Sequence, residues 1–324
     1  TFKRRMPSGG TIHIEEIQDQ VELALMRSGE HKVARDYVLY RESRKRLRAE
    51  KNSAQAATLD HPAINVIMED GSSQPLDMNR LQIIINEACA GLKDVDPQAI
   101  MGEALRNLYD GVSIDDVNTS LVITARTLVE KEPNYSYATA RLLLDKLRAE
   151  ALNFLGIANS ATQQDMHTLY AKALPAYIRR GVQLELIAPD LLNYDLDKLG
   201  HALDATRDLQ FTYLGLQTLY DRYFIHSDNI RIELPQVFFM RVAMGLAAEE
   251  KNKEEKAIEF YKLLSSFDYV SSTPTLFNAG TLRPQLSSCY LTTIPDDLHG
   301  IYGAIQDNAM LSKWAGGLGN DWTP

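Results

Sequence analysis

An internal repeat is the feature that most constrains the fold of this chain of 324 residues. The stretch beginning at Ile14, IEEIQDQVELALMRSGEHKVARDYVLYRESRKRL, resembles the stretch beginning at Ile114, IDDVNTSLVITARTLVEKEPNYSYATARLLLDKL. Apolar residues recur at helical spacing in both copies, as Val117, Leu121 and Ala125 do in the second. Each copy is therefore predicted to form two helices, so that one helical unit occurs twice.

A hairpin and a further helix are predicted ahead of the second copy, in residues 63–92. The segment INVIMEDGSSQPL alternates and carries a glycine turn, which is typical of a small β-hairpin. Asp77 is a good N-cap for the next helix, and Gly91 ends that helix. The first copy has no such hairpin before it. We therefore expect the sequence to begin inside its first repeat and to be part of a longer protein.

Composition excludes several classes of protein. A formal net charge of -9 argues against general nucleic-acid binding, which needs a basic surface. No apolar run approaches the roughly 20 residues that span a bilayer, and the first residues lack the apolar core of a secretory signal. The two cysteines, Cys89 and Cys289, are too few for a disulfide framework and suit a reducing cytoplasm. The histidines have no metal-binding spacing.

A hairpin followed by four helices, with an Asp-Gly turn and Tyr-Asp-Gly before the third helix, resembles the ATP-cone domain. The resemblance covers residues 63–155 fully and 11–50 in part. It implies that residues 1–50 are the C-terminal part of a first cone and residues 63–155 a second one. It also implies ATP and dATP as regulatory ligands.

The second cone departs from the family pattern in its charges. The family carries a Lys-Arg pair just before the hairpin turn, where this chain has Met68 and Glu69. Arg80 matches the basic residue of the next helix, but the lysine late in the fourth helix falls on Ala149. Each lost charge-assisted contact is worth about 1.5–3 kcal/mol. The second cone is therefore predicted to keep the fold and to bind nucleotide weakly or not at all.

The first cone keeps the late lysine of the family and is the better nucleotide candidate. The late lysine of the family falls on Lys45 in this copy, beside Arg44. The alternative is that YRESRKRLRAEK, residues 40–51, is a solvated helix end, where cations are stabilising in any protein. The sequence alone leaves both interpretations open.

Residues 156–270 are predicted to be a helical domain. Segments such as PQVFFMRVAMGLAAEE carry apolar residues at three- and four-residue spacing, and their aromatic residues are interpreted as packing residues. A short strand is predicted within residues 226–235.

The pattern changes after Val270. SSCYLTTI alternates like a half-buried strand, and DDLHGIYGAIQDNAMLSKWAGG is predicted to form a helix that begins at Asp296 or Asp297. The following GGLGN is a glycine turn whose backbone amides can face a ligand.

This last stretch resembles the large, catalytic subunit of class I ribonucleotide reductase. The shared motifs are STPTLFNAG, SSC, an aspartate seven residues beyond that cysteine, and AGGLG after the next helix. The order of ATP cone, helical domain and this segment matches as well. The resemblance implies a mainly α segment leading, in residues 271–324, into the first strand and helix of a ten-stranded α/β barrel.

The resemblance also implies roles for the residues around the cysteine. Cys289 matches one thiol of the redox pair that reduces the ribose 2′ carbon, a role that requires sulfur because two thiols close to a disulfide. Thr273 and Ser288 match positions that hydrogen-bond the substrate, and Gly317 matches a backbone contact to it. The alternative for Cys289 is a buried inert thiol, which is how Cys89 is interpreted.

Three further residues match the allosteric specificity site of the family: Asp296, Asp297 and Leu298. A carboxylate there can accept a hydrogen bond from a deoxyribose hydroxyl. Asp296 as an N-cap alone remains an alternative.

The implied protein is a ribonucleoside-diphosphate reductase. Its effectors would be ATP, dATP and deoxynucleoside triphosphates with magnesium, and no cofactor would reside in this chain. A separate small subunit would supply the radical, thioredoxin or glutaredoxin would re-reduce the thiols, and the subunit would form a homo-oligomer, a dimer that grows larger with dATP. The radical cysteine, the partner thiol and the C-terminal cysteine pair are not in this sequence, so the chain alone is expected to be inactive.

Two other functions stay open at this point. One is a non-catalytic nucleotide sensor that uses ATP cones to control an oligomer or a promoter, although SSC with AGGLG argues against it. The other is a relative that uses a glycyl radical on the same barrel.

Overall fold

A computed structural model describes residues 64–68, 71–314 and 316–323, together with the single positions Val21 and Ala24. The chain divides into two compact units, Thr1–Pro62 and Ala63–Pro324. All of the architecture described below belongs to the second unit.

A three-stranded sheet opens this unit, with the strand order β2-β1-β3. The strands are β1 (Asn65–Ile67), β2 (Ser73–Pro75) and β3 (Val112–Ser113). β1 is antiparallel to β2, as the predicted hairpin requires, and parallel to β3. The Met68 carbonyl accepts from the Gly71 amide at 2.9 Å, and Gly71 has a φ of 80°, which favours glycine at this turn.

Four helices pack against this sheet and one another. They are α1 (Met78–Cys89), α2 (Pro97–Asn107), α3 (Ile114–Thr127) and α4 (Tyr135–Phe154). Asp77 caps α1 as predicted, since its carboxylate accepts from the Arg80 amide at 2.9 Å. The predicted apolar faces are buried, with Ile85 on α1 and Val117 on α3 fully inaccessible.

The next stretch is a helical bundle with one small hairpin. Its helices are α5 (Gln163–Gln183), α6 (Leu196–His201), α7 (Tyr213–Arg222), α8 (Pro235–Leu246) and α9 (Lys253–Ser265), with 3-10 helices at Pro189–Asn193 and Ala205–Gln210. The single strand predicted in residues 226–235 is a pair, β4 (His226–Ser227) and β5 (Ile230–Arg231). α8 lies at the centre, because all of its residues from Pro235 to Met244 are buried. No helix in the described part of the chain is long and apolar enough to cross a membrane.

α4 joins the sheet-bearing part to the helical bundle. It packs against α1 and α3 on one side and against α7 on the other. Polar contacts reinforce this junction, since the Glu150 carboxylate accepts from the Tyr220 hydroxyl at 2.7 Å and from the Arg231 amide at 2.5 Å. The two parts therefore share one long helix and a common packed core.

A β-α-β element follows the bundle. It consists of β6 (Cys289–Thr293), α11 (Leu298–Lys313) and β7 (Gly317–Asp321). The short helix α10 (Thr273–Asn278) precedes it. β6 and β7 are parallel, and α11 provides the crossover that parallel strands need. The prediction of a glycine turn at GGLGN is wrong, because residues from Gly317 onwards pair with β6 as a strand. The prediction of a mainly helical segment is confirmed. The ten-stranded barrel stays a prediction.

We expect the core of the first four helices to tolerate truncation poorly. Ile85→Ala should lower the free energy of unfolding by about 2–5 kcal/mol, because it leaves a cavity at a fully buried position. Ile83→Ala on the same helix is the matched control, since that side chain is 52% exposed. It should change the free energy by no more than about 0.5 kcal/mol in the same urea titration. Equal losses in both variants would contradict this packing.

Candidate functional site

Cys289 is the first residue of β6 and lies opposite Gly317, the first residue of β7. The Gly317 amide donates to the Ser288 carbonyl at 2.9 Å. A Cβ on residue 317 would lie 3.1 Å from that carbonyl oxygen and 3.6 Å from the Cys289 sulfur. A side chain at residue 317 would therefore crowd the Ser288 carbonyl and lie in contact with the Cys289 sulfur.

The Cys289 thiol is free and exposed. In this chain the Cys289 thiol is therefore not buried in apolar packing, and its redox role stays a prediction. Ser288 is exposed as well, so this pair and the Gly317 backbone form one accessible surface. A thiol and a hydroxyl are thus exposed side by side and could both contact a polar ligand.

α10 holds the segment that precedes Ser288. The Thr275 hydroxyl donates to the Leu286 carbonyl at 3.0 Å, and the Asn278 amide donates to the Gln285 carbonyl at 2.8 Å. The Gln285 side chain then donates to the Ser287 carbonyl at 2.7 Å and to the Tyr290 hydroxyl at 2.8 Å. Side chains of α10 and the side chain of Gln285 thus hold the segment that leads into β6.

Thr273 begins α10 and is exposed. Its hydroxyl lies 3.2 Å from the Tyr223 hydroxyl, and the Tyr223 ring stacks on Phe277 at 4.5 Å. The structure links Thr273 to the thiol through the bonds of α10 to residues 285 and 286. Ser288, Cys289 and Gly317 are the three predicted substrate-side residues that it brings into direct proximity.

The predicted specificity residues lie beyond the other end of β6. Asp297 is the N-cap of α11, because its carboxylate accepts from the Gly300 amide at 2.9 Å. Asp296 is exposed and makes no hydrogen bond or ion pair with another described residue, while Leu298 is 75% exposed. The N-cap role therefore belongs to Asp297. A five-residue strand, about 13 Å long, separates this group from Cys289.

Arg80 is already engaged by a partner. Its guanidinium lies 2.6 Å from the Asp145 carboxylate, with both side chains largely buried. Burial raises the pKa of Asp145, against the opposing effect of Arg80. Met68 packs against the core and Ala149 is half-buried. The charge of Arg80 is thus balanced within the protein, and the positions matching two of the family's basic residues hold Met68 and Ala149. Arg44, Lys45 and Glu69 lie outside the described residues.

Cys89 differs from Cys289 in its surroundings. It lies on the buried face of α1, and burial raises the pKa of its thiol to about 11. A thiol with this pKa is almost wholly protonated at neutral pH and is a poor nucleophile. Cys89 is therefore suited to packing alone. Among the described residues no group of three or more His, Cys, Asp and Glu side chains is arranged to hold a metal ion.

Two clusters of buried polar side chains in the helical bundle were not predicted from the sequence. In one, Arg241 pairs with Glu233, and both are fully inaccessible. In the other, Asp208 accepts from Tyr170 at 2.8 Å and lies 3.3 Å from Arg148. Burial raises the pKa of Asp208, against the effect of Arg148. The one sequence signal was an arginine within the otherwise apolar run FFMRVAMGL.

Comparison with known proteins finds two domain families in this chain. An ATP cone domain matches residues 2–46 and 64–150. An all-alpha domain of ribonucleotide reductase matches residues 209–284.

Similar whole proteins come from bacteria and animals. The alpha subunit of ribonucleoside-diphosphate reductase from Chlamydia trachomatis is 44% identical over 96% of this chain and 30% of its own length. The Helicobacter pylori alpha subunit is 33% identical over 80% of this chain and 32% of its length. The large subunit from Danio rerio is 33% identical over 79% of this chain and 31% of its length. The chain therefore spans about 30% of the length of the curated relatives it matches.

The two thiols should differ sharply in reactivity. In the native protein at pH 8, iodoacetamide should label Cys289 and leave Cys89 unlabelled, because only about 0.1% of a thiol with a pKa near 11 is ionised there and the side chain is buried. Peptide mass spectrometry reads out both sites. Cys289→Ser should abolish native labelling, and denatured protein is the control in which Cys89 reacts. Native labelling of Cys89 at a comparable rate would contradict these placements.

Proposed function

Since this chain belongs to the ribonucleotide reductase large-subunit family, we propose that the protein reduces ribonucleoside diphosphates to 2′-deoxyribonucleotides, with Cys289 as one of its two reducing thiols. The exposed Cys289 thiol, which lies opposite Gly317 on the neighbouring strand, is the main support for this proposal. A non-catalytic nucleotide sensor would have no use for such a surface.

The redox step that Cys289 serves needs a second thiol. Reduction of the ribose 2′ carbon breaks its C–O bond, forms a C–H bond and releases water, which takes two electrons and two protons. Two thiols supply both when their sulfurs join in a disulfide. Cys89 is the other cysteine of this sequence and is buried in the second cone, so the partner thiol lies outside these 324 residues.

The substrate would bind on the surface around the thiol. We propose that the hydroxyls of Thr273 and Ser288 hydrogen-bond its ribose and phosphate, and that the backbone of Gly317 contacts it directly. Both hydroxyl residues are exposed, and the bonds of α10 to residues 285 and 286 fix the path between them.

Regulation would act at two places away from this surface. We propose that a deoxynucleoside triphosphate binds at Asp296, Asp297 and Leu298 and selects the base to be reduced. The free carboxylate of Asp296 supports this role, because Asp297 alone caps α11. The ATP cone domain implies a nucleotide effector. We assign ATP or dATP, with magnesium, to Arg44 and Lys45 of the first cone rather than to Arg80, whose charge Asp145 already balances.

The proposed partners follow from the family. A separate small subunit would supply the radical that starts the reaction, and thioredoxin or glutaredoxin would reduce the disulfide. We further propose a cytoplasmic homodimer that forms larger assemblies with dATP.

Removing the sulfur tests the proposed chemistry. Cys289→Ser in the full-length protein, assayed with its small subunit and a dithiol reductant, should abolish multiple turnover while leaving effector binding intact. Serine keeps the size of the side chain and cannot form a disulfide. Cys89→Ala is the control and should retain turnover, because that thiol only packs. Normal multiple turnover by Cys289→Ser would refute the assignment.

Calorimetry can assign the nucleotide to one cone. In the full-length protein, Lys45→Ala should weaken dATP binding about tenfold to a hundredfold, the loss expected for one charge-assisted contact of about 1.5–3 kcal/mol. Arg80→Ala is the matched variant in the second cone and should leave dATP affinity unchanged. A large loss in Arg80→Ala with none in Lys45→Ala would reverse the assignment.

A further inference from the structure

Arg241 is a fully buried arginine in the middle of α8. Its guanidinium contacts the Glu233 carboxylate through two nitrogens, at 2.7 and 3.3 Å. Glu233 also accepts from the Tyr177 hydroxyl at 2.6 Å and from the Ile225 amide at 3.0 Å. Burial by itself lowers the pKa of Arg241, but Glu233 outweighs it and leaves the pKa above its ordinary value. Arg241 is thus a charged group held in one orientation.

The remaining donors of Arg241 point to the end of α10. They reach the carbonyls of Ala279 at 2.6 Å, Leu276 at 3.1 Å and Phe277 at 3.5 Å. A guanidinium has five N–H donors, and these contacts with the two to Glu233 use all of them. A cation at the C-terminal end of a helix also stabilises its unpaired carbonyls.

α8 also packs closely against the backbone at the end of α10. A Cβ on Gly245 would collide with the backbone of Ala279 and Gly280. Gly280 has a φ of 77°, and a Cβ there would lie 2.9 Å from the Arg241 carbonyl oxygen. The end of α10 is therefore fixed on α8 by contact as well as by hydrogen bonds.

α10 passes this placement on to the Cys289 segment. Thr275 and Asn278 hold the carbonyls of Leu286 and Gln285, two and three residues before Ser288. A continuous series of contacts thus runs from the buried pair to the thiol, and no step in it leaves the described residues.

We propose that Arg241, oriented by Glu233, is a positioning residue for the Cys289 surface. It touches neither the thiol nor any group assigned to the substrate, and acts by fixing α10. The part of this inference that concerns substrate rests on the proposed function, whereas the part that concerns the placement of residues 273–290 does not.

A double variant separates positioning from stability. Glu233→Gln with Arg241→Met removes both charges and the three carbonyl contacts but retains apolar volume, and such replacements of buried ion pairs are often tolerated. Arg148→Met with Asp208→Asn is the matched control, because it removes another nearly inaccessible pair that has no hydrogen bond to residues 273–290. Both are made in the full-length protein and compared by melting temperature, hydrogen exchange and kinetics.

In the Glu233 and Arg241 double variant, amide exchange in residues 273–290 should rise at least about tenfold, with α5 and α9 unchanged. The KM for the ribonucleotide should rise, and kcat should fall about tenfold to a hundredfold, as small misplacements of reacting groups do. In the control variant, amide exchange in residues 273–290 and the kinetic constants should stay unchanged, even when its melting temperature falls by as much or more.

Unchanged exchange in residues 273–290, or raised exchange with unaltered kinetics, would overturn the proposal. If the double variant does not fold, Asn278→Ala replaces it, because it breaks only the bond to Gln285 and should raise exchange in residues 285–290 and alter KM in the same direction. If the wild-type protein lacks reductase activity, the proposed function fails while the exchange measurement still tests the placement.

Discussion

The parallel pairing of β6 with β7 is the constraint on which the site depends. It sets Gly317 beside Cys289 and commits the Gly317 amide to the Ser288 carbonyl. Because residue 317 has no side chain, the thiol stays accessible on a surface made of backbone and small polar groups. The same strand separates the thiol at its start from the Asp296 group beyond its end. One short strand thus fixes the distance between Cys289 and the Asp296 group.

A buried ion pair holds the end of α10, which precedes the β-α-β element, on the helical bundle. The Arg241 and Glu233 pair is inaccessible to water, and truncating one partner of such a pair costs about 3–5 kcal/mol because the other charge is left uncompensated. Arg148 with Asp208 has the same character between α4 and the 3-10 helix at Ala205–Gln210. Glu150 adds a third contact through Tyr220 and Arg231. The second cone is therefore held to the helical bundle by polar contacts as well as by apolar packing.

Local patterns were enough to predict the local structure. The N-cap at Asp77, the apolar face of α1 and the hairpin before it depend on residues within a few positions of one another, and all three are observed. The strand at Cys289 and the helix after it were predicted for the same reason. The periodicity of Val117 and Leu121 located the core correctly, because a helix buries one face.

Contacts between residues far apart in the chain could not be predicted from the sequence. Arg80 matches a basic position of the ATP-cone family, and nothing near it in the chain shows that Asp145, 65 positions away, balances its charge. Arg241 resembles any helical arginine until the fold buries it against Glu233. The register that places Gly317 opposite Cys289 depends on how α11 crosses over, which spacing does not determine.

The most direct test of the central claim is the state of Cys289 after one round of reaction. Full-length protein, with the expected C-terminal cysteine pair replaced by serine so that it cannot reduce a disulfide at Cys289 by exchange, is reduced and freed of reductant. It is mixed with its small subunit and a ribonucleoside diphosphate, and its disulfides are then mapped by peptide mass spectrometry. We expect a disulfide between Cys289 and a cysteine outside these 324 residues, in proportion to the deoxyribonucleotide formed. Product formed in stoichiometric amount while Cys289 remains a free thiol would contradict it.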